Sequence, residues 1–408
     1  MKLHKVVSTQ SGTGRSAFKL LAPMVVLGLS LFCVASWGQN SAAHPSSDAP
    51  STLKIGASAP DFRLPGVDGK TYSLKDFASS KILVVIFSCN HCPLADVYEK
   101  RIKQLVTAYR GRGVAVVVIS GNDPQAVVAA EYGYGDLGDT FAEMKTRAKY
   151  RNLNYPYLYD GATQAVTLKY GATNTPQVFI FDKERVLQYE GRFDNNANEL
   201  QATQHDAKDA IDALLAGKPV AVPVTTPVGC VTKWAAKIPS VEADWAKFNA
   251  RPVSLDLVSA DQLKVLRSNS GTGRLQLVYF WATWCGACIE QFPELETMVR
   301  MYAQRPIDIV TVSLDGPGEQ SEILAYLQKQ HAFNKNLLLD SDTTREAVRA
   351  FGTDWAGGAP YMVLIGTNGE VLFQTKGEFN VMDVRRAIVK HFVDDHYIGQ
   401  HAYWNGTF

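Results

Sequence analysis

Two Cys-x-x-Cys pairs, Cys89/Cys92 and Cys285/Cys288, stand 196 residues apart in matching surroundings. Each directly follows a short continuous apolar run, Lys81–Phe87 or Leu275–Trp281, of the kind that forms a strand buried on both faces. Each precedes a helical pattern: Tyr98, Ile102, Leu105 and Tyr109 after the first, and Phe292, Leu295, Met298, Val299 and Tyr302 after the second. A further apolar strand follows in both halves, Val114–Ile119 and Ile307–Val312. Downstream, Pro176 and Pro360 each lead another strand, Gln177–Phe181 and Tyr361–Ile365, with a turn, a strand and a closing helix after it (around Ala207–Leu215 and Val381–Phe392). Alternating strands and helices in a repeated order predict an α/β fold built twice, each unit a central mixed sheet flanked by helices.

A Cys-x-x-Cys pair at a strand-to-helix turn has a chemistry of its own. The helix N-terminus presents unpaired N–H groups and the positive end of the macrodipole, which favour a thiolate. Two intervening residues place the second sulfur within reach of the first. The first can then attack a disulfide and the second resolve the mixed disulfide. On this reading Cys89 and Cys285 are the nucleophiles, and Cys92 and Cys288 the resolving thiols. Structural disulfides seldom close so tight a loop. A zinc site shared between pairs so far apart in sequence does not fit the spacing of zinc modules. No metal and no cofactor is expected.

The sequence contains six cysteines. Cys33 lies in an N-terminal segment with the form of an export signal: Lys2, Lys5, Arg15 and Lys19, then the apolar run Leu20–Trp37, then small residues. The run also has the length of an uncleaved anchor. Either reading predicts a periplasmic or secreted chain that touches a membrane only through such an anchor. Residues 1–38 are read as signal or anchor and 39–52, rich in Ser, Ala and Pro, as a flexible spacer. Residues 53–222 form the first domain, 223–252 a linker carrying Cys230, 253–394 the second domain and 395–408 a tail. Within the linker, Pro219–Pro227 reads as extended and Ser240–Phe248 as a short helix. Ser259 and Gln262 fit a capping box at the next helix. With a formal net charge of +1, nothing in the composition calls for nucleic acid as a partner.

The second half, with Phe280-Trp-Ala-Thr-Trp-Cys-Gly-Ala-Cys288, Pro293 and Gly358-Ala-Pro360, resembles a TlpA-type thioredoxin over about Val253–Phe392. The resemblance implies a thioredoxin fold with Pro360 in cis beside the cysteines, guiding an extended substrate, and Trp284 flanking the site. Two departures bear on proton handling: Tyr279 stands where thioredoxins keep a buried Asp, and Gln291 where the group often has Glu. The first half, with Gly56-Ala-Ser-Ala-Pro-Asp-Phe62, Cys89-Asn-His-Cys-Pro93, Tyr157-Leu-Tyr-Asp160 and Gly229-Cys-Val-Thr-Lys-Trp234, resembles a peroxiredoxin-like branch of the redoxins, related to AhpC/TSA, over about Leu53–Trp234. That implies the same fold with Pro176 in cis. The peroxidase signature Pro-x-x-x-Thr-x-x-Cys is absent, since Ile82 and Ile86 take the Pro and Thr places.

His91, between the two cysteines of the first pair, can stabilise the Cys89 thiolate and make that disulfide the stronger oxidant. Electrons would then pass from the second domain to the first. Cys230 suits either a fold-back disulfide with Cys89 or Cys92, or a buried structural thiol. These residues predict an exported thiol–disulfide oxidoreductase acting on protein disulfide or dithiol clients and supplied by a membrane or periplasmic electron donor. A thiol peroxidase is the second reading. A non-catalytic module that holds a client, or copper through His391, His396 and His401, is the third.

Overall fold

The computed structural model describes residues 50–341, 348–351 and 355–392. The segment read as an export signal, His396 and His401 lie outside them. Among the described residues no helix is long and apolar enough to cross a membrane.

The first half is organised on β3 (Ile82–Ser88), buried along its whole length as its unbroken apolar run requires. A small hairpin precedes it, β1 (Arg63–Pro65) with β2 (Thr71–Ser73). After it come α1 (Pro93–Ala108), β4 (Val114–Ser120), α2 (Ala129–Tyr132), α3 (Phe141–Arg151), β5 (Tyr157–Tyr159) and α4 (Ala165–Tyr170). Then follow β6 (Asn174–Thr175), β7 (Gln177–Phe181), β8 (Leu187–Gly191) and α5 (Asp206–Leu215). The sheet order is β5-β4-β3-β7-β8, with β5, β4 and β3 parallel and β7 and β8 antiparallel. Alternate residues of β3 feed two cores. Ile82, Val84 and Ile86 pack with Tyr98, Ile102 and Ile211, while Leu83, Val85 and Phe87 pack with Phe62 and Tyr170.

The stretch read as a linker is extended, and it lies along the first sheet. Val224 bridges Glu190, and the Thr225 hydroxyl accepts a hydrogen bond from Arg192 N at 3.0 Å. Farther on, β9 (Cys230–Val231) pairs antiparallel with β6, and α6 (Ile238–Asn249) follows close to the expected helix.

The second half repeats the plan: β10 (Asp256–Val258), α7 (Ala260–Ser268), β11 (Leu275–Trp281), α8 (Gly286–Tyr302), β12 (Ile307–Ser313) and α9 (Gln320–Lys329). It ends with β13 (Lys335–Leu339), β14 (Tyr361–Ile365), β15 (Val371–Lys376) and α10 (Val381–His391). The sheet order is β10-β13-β12-β11-β14-β15, again parallel on one side of the central strand and antiparallel on the other. The Ser259/Gln262 capping box opens α7 as expected. Both Pro176 and Pro360 follow cis peptide bonds.

The two halves meet through the stretch from α2 to Asp139. Gly133 lies so close to α8 that a Cβ there would come within 2.7 Å of the Met301 carbonyl oxygen. Arg385 of α10 donates to the Gly135 and Tyr132 carbonyls, and Arg386 Nε donates to Asp136 Oδ2 at 2.8 Å. Asp136 is also held by Arg147, whose guanidinium binds Asp96 and Glu99 as well.

Candidate active sites

In the second half the pair sits where the sequence places it. Cys285 is the N-cap of α8, and its sulfur accepts a hydrogen bond from Cys288 N at 3.2 Å. Cys285 and Cys288 form a disulfide; Cys285 is 7% exposed and Cys288 fully buried. Trp284 projects beside them, 63% exposed. Asp315 fixes the turn by accepting from Thr283 N and its hydroxyl. Tyr279 occupies the buried position under the site with its hydroxyl unpartnered, and burial raises its pKa. Gln291 is used structurally: its amide donates to the Phe379 carbonyl at 2.8 Å and its carbonyl accepts from Phe379 N at 3.0 Å.

The first half departs from the tight-pair reading. Cys92 is bonded to Cys230, and Cys89 is a free, buried thiol. The expected Cys89–Cys92 disulfide is therefore corrected: the bond in place is the fold-back, one of the arrangements open to Cys230. The cause is strand pairing. β9 lies against β6 with Cys230 opposite Thr175, and the Thr175 carbonyl oxygen is 3.4 Å from Cys92 Sγ, so the pairing carries Cys230 to Cys92. Their Cα atoms are 6.2 Å apart, ordinary for a disulfide.

Cys89 faces different partners. Its sulfur is 3.3 Å from the Thr175 hydroxyl and interacts with His91. His91 is 2% exposed, not a surface imidazole, and its Nδ1 contacts Asp139 Oδ2 at 2.5 Å. Asp139 is missing from the sequence reading. It lies 48 residues beyond His91 in a glycine-rich stretch without periodicity. The available signal was the Thr140/Glu143 capping box that fixes the start of α3 directly after it.

The Asp139 carboxylate is saturated. Oδ1 accepts from the backbone N–H groups of Asn90 and His91, at 2.7 and 3.1 Å, and Oδ2 accepts from His91 and from Asn122 Nδ2 at 2.9 Å. Burial opposes its charge, but His91 and these hydrogen bonds outweigh it and hold the carboxyl at about 2. Burial likewise opposes the imidazolium, yet Asp139 and then Cys89 raise His91 well above its ordinary value. The result is a cationic imidazole, oriented by an anion, beside a sulfur.

Cys89, His91 and Asp139 are also the group of potential metal ligands among the described residues, with ligand atoms within 4.8 Å of one another. Asp139 has both oxygens committed to N–H donors, so it serves the imidazole better than an ion. Of the tail histidines only His391 is described.

Residues 55–190 match the AhpC/TSA family and residues 235–388 the Redoxin family. Among curated proteins it is similar to the thiol-disulfide oxidoreductase ResA of Oceanobacillus iheyensis, 39% identical over 44 residues, which are 11% of this chain and 23% of that protein. The chain thus matches about a quarter of that relative's length. Among solved structures, a hypothetical protein from Sinorhizobium meliloti is 35% identical, with 46% of this chain and 97% of that one covered and a TM-score of 0.41. Peroxidoxin BcpB from Mycobacterium tuberculosis is 20% identical, with 40% and 95% covered and a TM-score of 0.29.

Proposed function

We propose that this chain is an exported thiol–disulfide oxidoreductase whose second domain exchanges with protein clients through Cys285 and Cys288. The observation that carries the reading is the Cys285–Cys288 disulfide at the N-terminus of α8 with exposed Trp284 beside it. In the reducing direction the Cys285 thiolate attacks a client disulfide and one client sulfur leaves. Cys288 then attacks Cys285 Sγ, which releases the second client thiol and leaves the disulfide on the enzyme. No cofactor takes part, and a dithiol donor restores the pair. In this proposal the N-terminal segment, residues 1–38, carries the exchange outside the cytoplasm.

The first domain sets the His91–Asp139 pair beside its free sulfur, so electrons are expected to pass from the second domain to the first. Insulin reduction tests the activity. Cys285→Ala should abolish turnover driven by the second domain, and Cys89→Ala should leave it in place. Redox titration of each centre in a chain lacking the other should give the first domain the higher potential. A Cys285→Ala chain with unaltered turnover removes the reading, and a reversed order of potentials removes the direction of flow. The Thr175 hydroxyl, which accepts from the Cys89 thiol at 3.3 Å, favours the peroxidase as a second reading, because it sets beside that sulfur a polar group that Ile86 cannot supply. Peroxide consumption dependent on Cys89 checks it.

A further inference from the structure

The two domains differ in one respect that their shared plan does not require. In the first domain the two-residue strand β6 leads into the cis-proline Pro176, and in the second Gly358 and Ala359 precede the cis-proline Pro360. In the second domain no strand fills that position: among the described residues none pairs with Gly358 or Ala359, the Gly358 carbonyl accepts only from the neighbouring Trp355 side chain, and a Cβ built on Gly358 meets nothing within 4 Å. In the first domain it is filled by the chain itself. β9 pairs with β6, and Thr175, the residue before Pro176, is opposite Cys230.

The fit is close and held on both sides. A Cβ on Gly229 would come within 2.2 Å of the Thr175 carbonyl oxygen and 2.8 Å of Pro176 N, so only glycine permits this approach. Asn174 Nδ2 donates to the Gly229 carbonyl at 3.2 Å. Beyond β9, Thr232 N donates to the Thr173 carbonyl and its hydroxyl to the Ala172 carbonyl, each at 2.8 Å. Lys233 N donates to Asn122 Oδ1 at 2.8 Å, and Asn122 also holds Asp139. An extended peptide that adds its backbone to a strand edge is a common mode of peptide recognition. The strap Gly229–Lys233 satisfies it with a segment of this chain, and the Cys92–Cys230 disulfide makes it covalent.

We propose that Cys230 is a third working thiol of the first domain, the port through which reductant enters, and that the strap is a tethered occupant of the client groove released when the Cys92–Cys230 bond is reduced. This rests on the thiol–disulfide reading above and extends it. Cys92 is fully buried and Cys89 is 6% exposed, whereas Cys230 is only half-buried and its neighbour Val231 is 49% exposed. Cys230 is therefore the sulfur a donor meets first.

A donor dithiol attacks Cys230 Sγ and Cys92 leaves as a thiolate. The donor's second sulfur then closes its own disulfide and releases Cys230. With the strap free, the Cys89 thiolate attacks a client disulfide and one client thiolate leaves. Cys92 attacks Cys89 Sγ and releases the second client sulfur. Cys230 attacks Cys92 Sγ, which restores the Cys92–Cys230 bond and the Cys89 thiolate. Protons from the donor thiols end on the client thiols. Two electrons pass from donor to client, and the observed arrangement, a free Cys89 beside a closed disulfide, is the resting state of the cycle.

The test uses the full chain with Cys285→Ser and Cys288→Ser, so that only the first domain reports. Peptide mapping of the unreduced chain should find Cys92 linked to Cys230. Reduction by dithiothreitol should speed both iodoacetamide labelling of Cys89 and amide exchange at Thr232 by about tenfold or more. Gly229→Ala should speed Cys89 labelling without reductant. Should that variant fail to fold, the exchange measurement on the unaltered strap decides the matter. A Cys89–Cys92 linkage with Cys230 free, or Thr232 exchange unchanged by reduction, overturns the proposal. Loss of insulin reduction by the intact chain would instead count against the oxidoreductase reading, so the two failures are distinguishable.

Discussion

Replacing Asp139 by Asn is expected to slow alkylation of Cys89 in the reduced chain by about tenfold to a hundredfold near pH 6–7. An amide cannot supply the negative charge that keeps His91 cationic, and a neutral imidazole no longer offers the attacking sulfur a positive neighbour. His91→Ala should act in the same direction, and Asn122→Ala, which removes one donor to Asp139 Oδ2, more weakly. Peptide mapping after timed iodoacetamide exposure reads Cys89 alone. Equal rates in Asp139→Asn and the unaltered chain would remove the triad from the account. The same pair shapes stability against pH. His91 titrates above its ordinary value in the folded chain, so its contribution is complete below the ordinary imidazole range and fades as pH rises through the raised value. Asp139 is held at about 2, so its contribution is present above the ordinary carboxylate range and is lost as pH falls toward 2. The Asn variant should lose both limbs.

Arg147→Leu is expected to cost about 3–5 kcal/mol in urea denaturation. The guanidinium is 2% exposed and neutralises Asp96, Glu99 and Asp136. Burial already pushes the Asp96 carboxyl up to about 7 against the pull of Arg147. Without the cation three acidic groups remain buried with too little positive charge, and a leucine fills the volume but not the hydrogen bonds. Asp136 lies three residues before Asp139 and also takes Arg386 from the second domain. The variant should therefore loosen the junction between domains and slow Cys89 labelling together. A denaturation midpoint within experimental error of the unaltered chain would show that the cluster is a surface-like network of little weight.

The sequence shows the repeated frame and the second site well, because both rest on short-range patterns. Unbroken apolar runs became β3 and β11, both prolines that lead strands are cis, and Cys285 caps its helix as expected, whereas α1 is capped by Cys92 and Cys89 lies three residues before that cap. What escaped is long-range. Nothing near His91 indicates Asp139, since the stretch from Tyr132 to Asp139 bends through three glycines and its order comes from Arg147, Arg385 and Arg386 elsewhere in the chain. Three cysteines in the first domain admit three pairings, and proximity in sequence favoured Cys89–Cys92. Register decided otherwise, because two residues of β9 pair with two residues of β6 and carry Cys230 to Cys92.

The Cys92–Cys230 bond has a second consequence, in chain statistics. Its ends are 138 residues apart, so it closes the stretch from α1 to β9 into one loop, whereas Cys285–Cys288 spans three residues. On the chain-entropy account a loop of that length withholds on the order of 5 kcal/mol of freedom from the unfolded chain, and the short one far less. Each reduction through Cys230 would thus lift a topological constraint on the domain that performs the chemistry. The first domain would work with its tightest staple removed, leaving the buried ion clusters and the two apolar cores to keep it folded until the loop closes again.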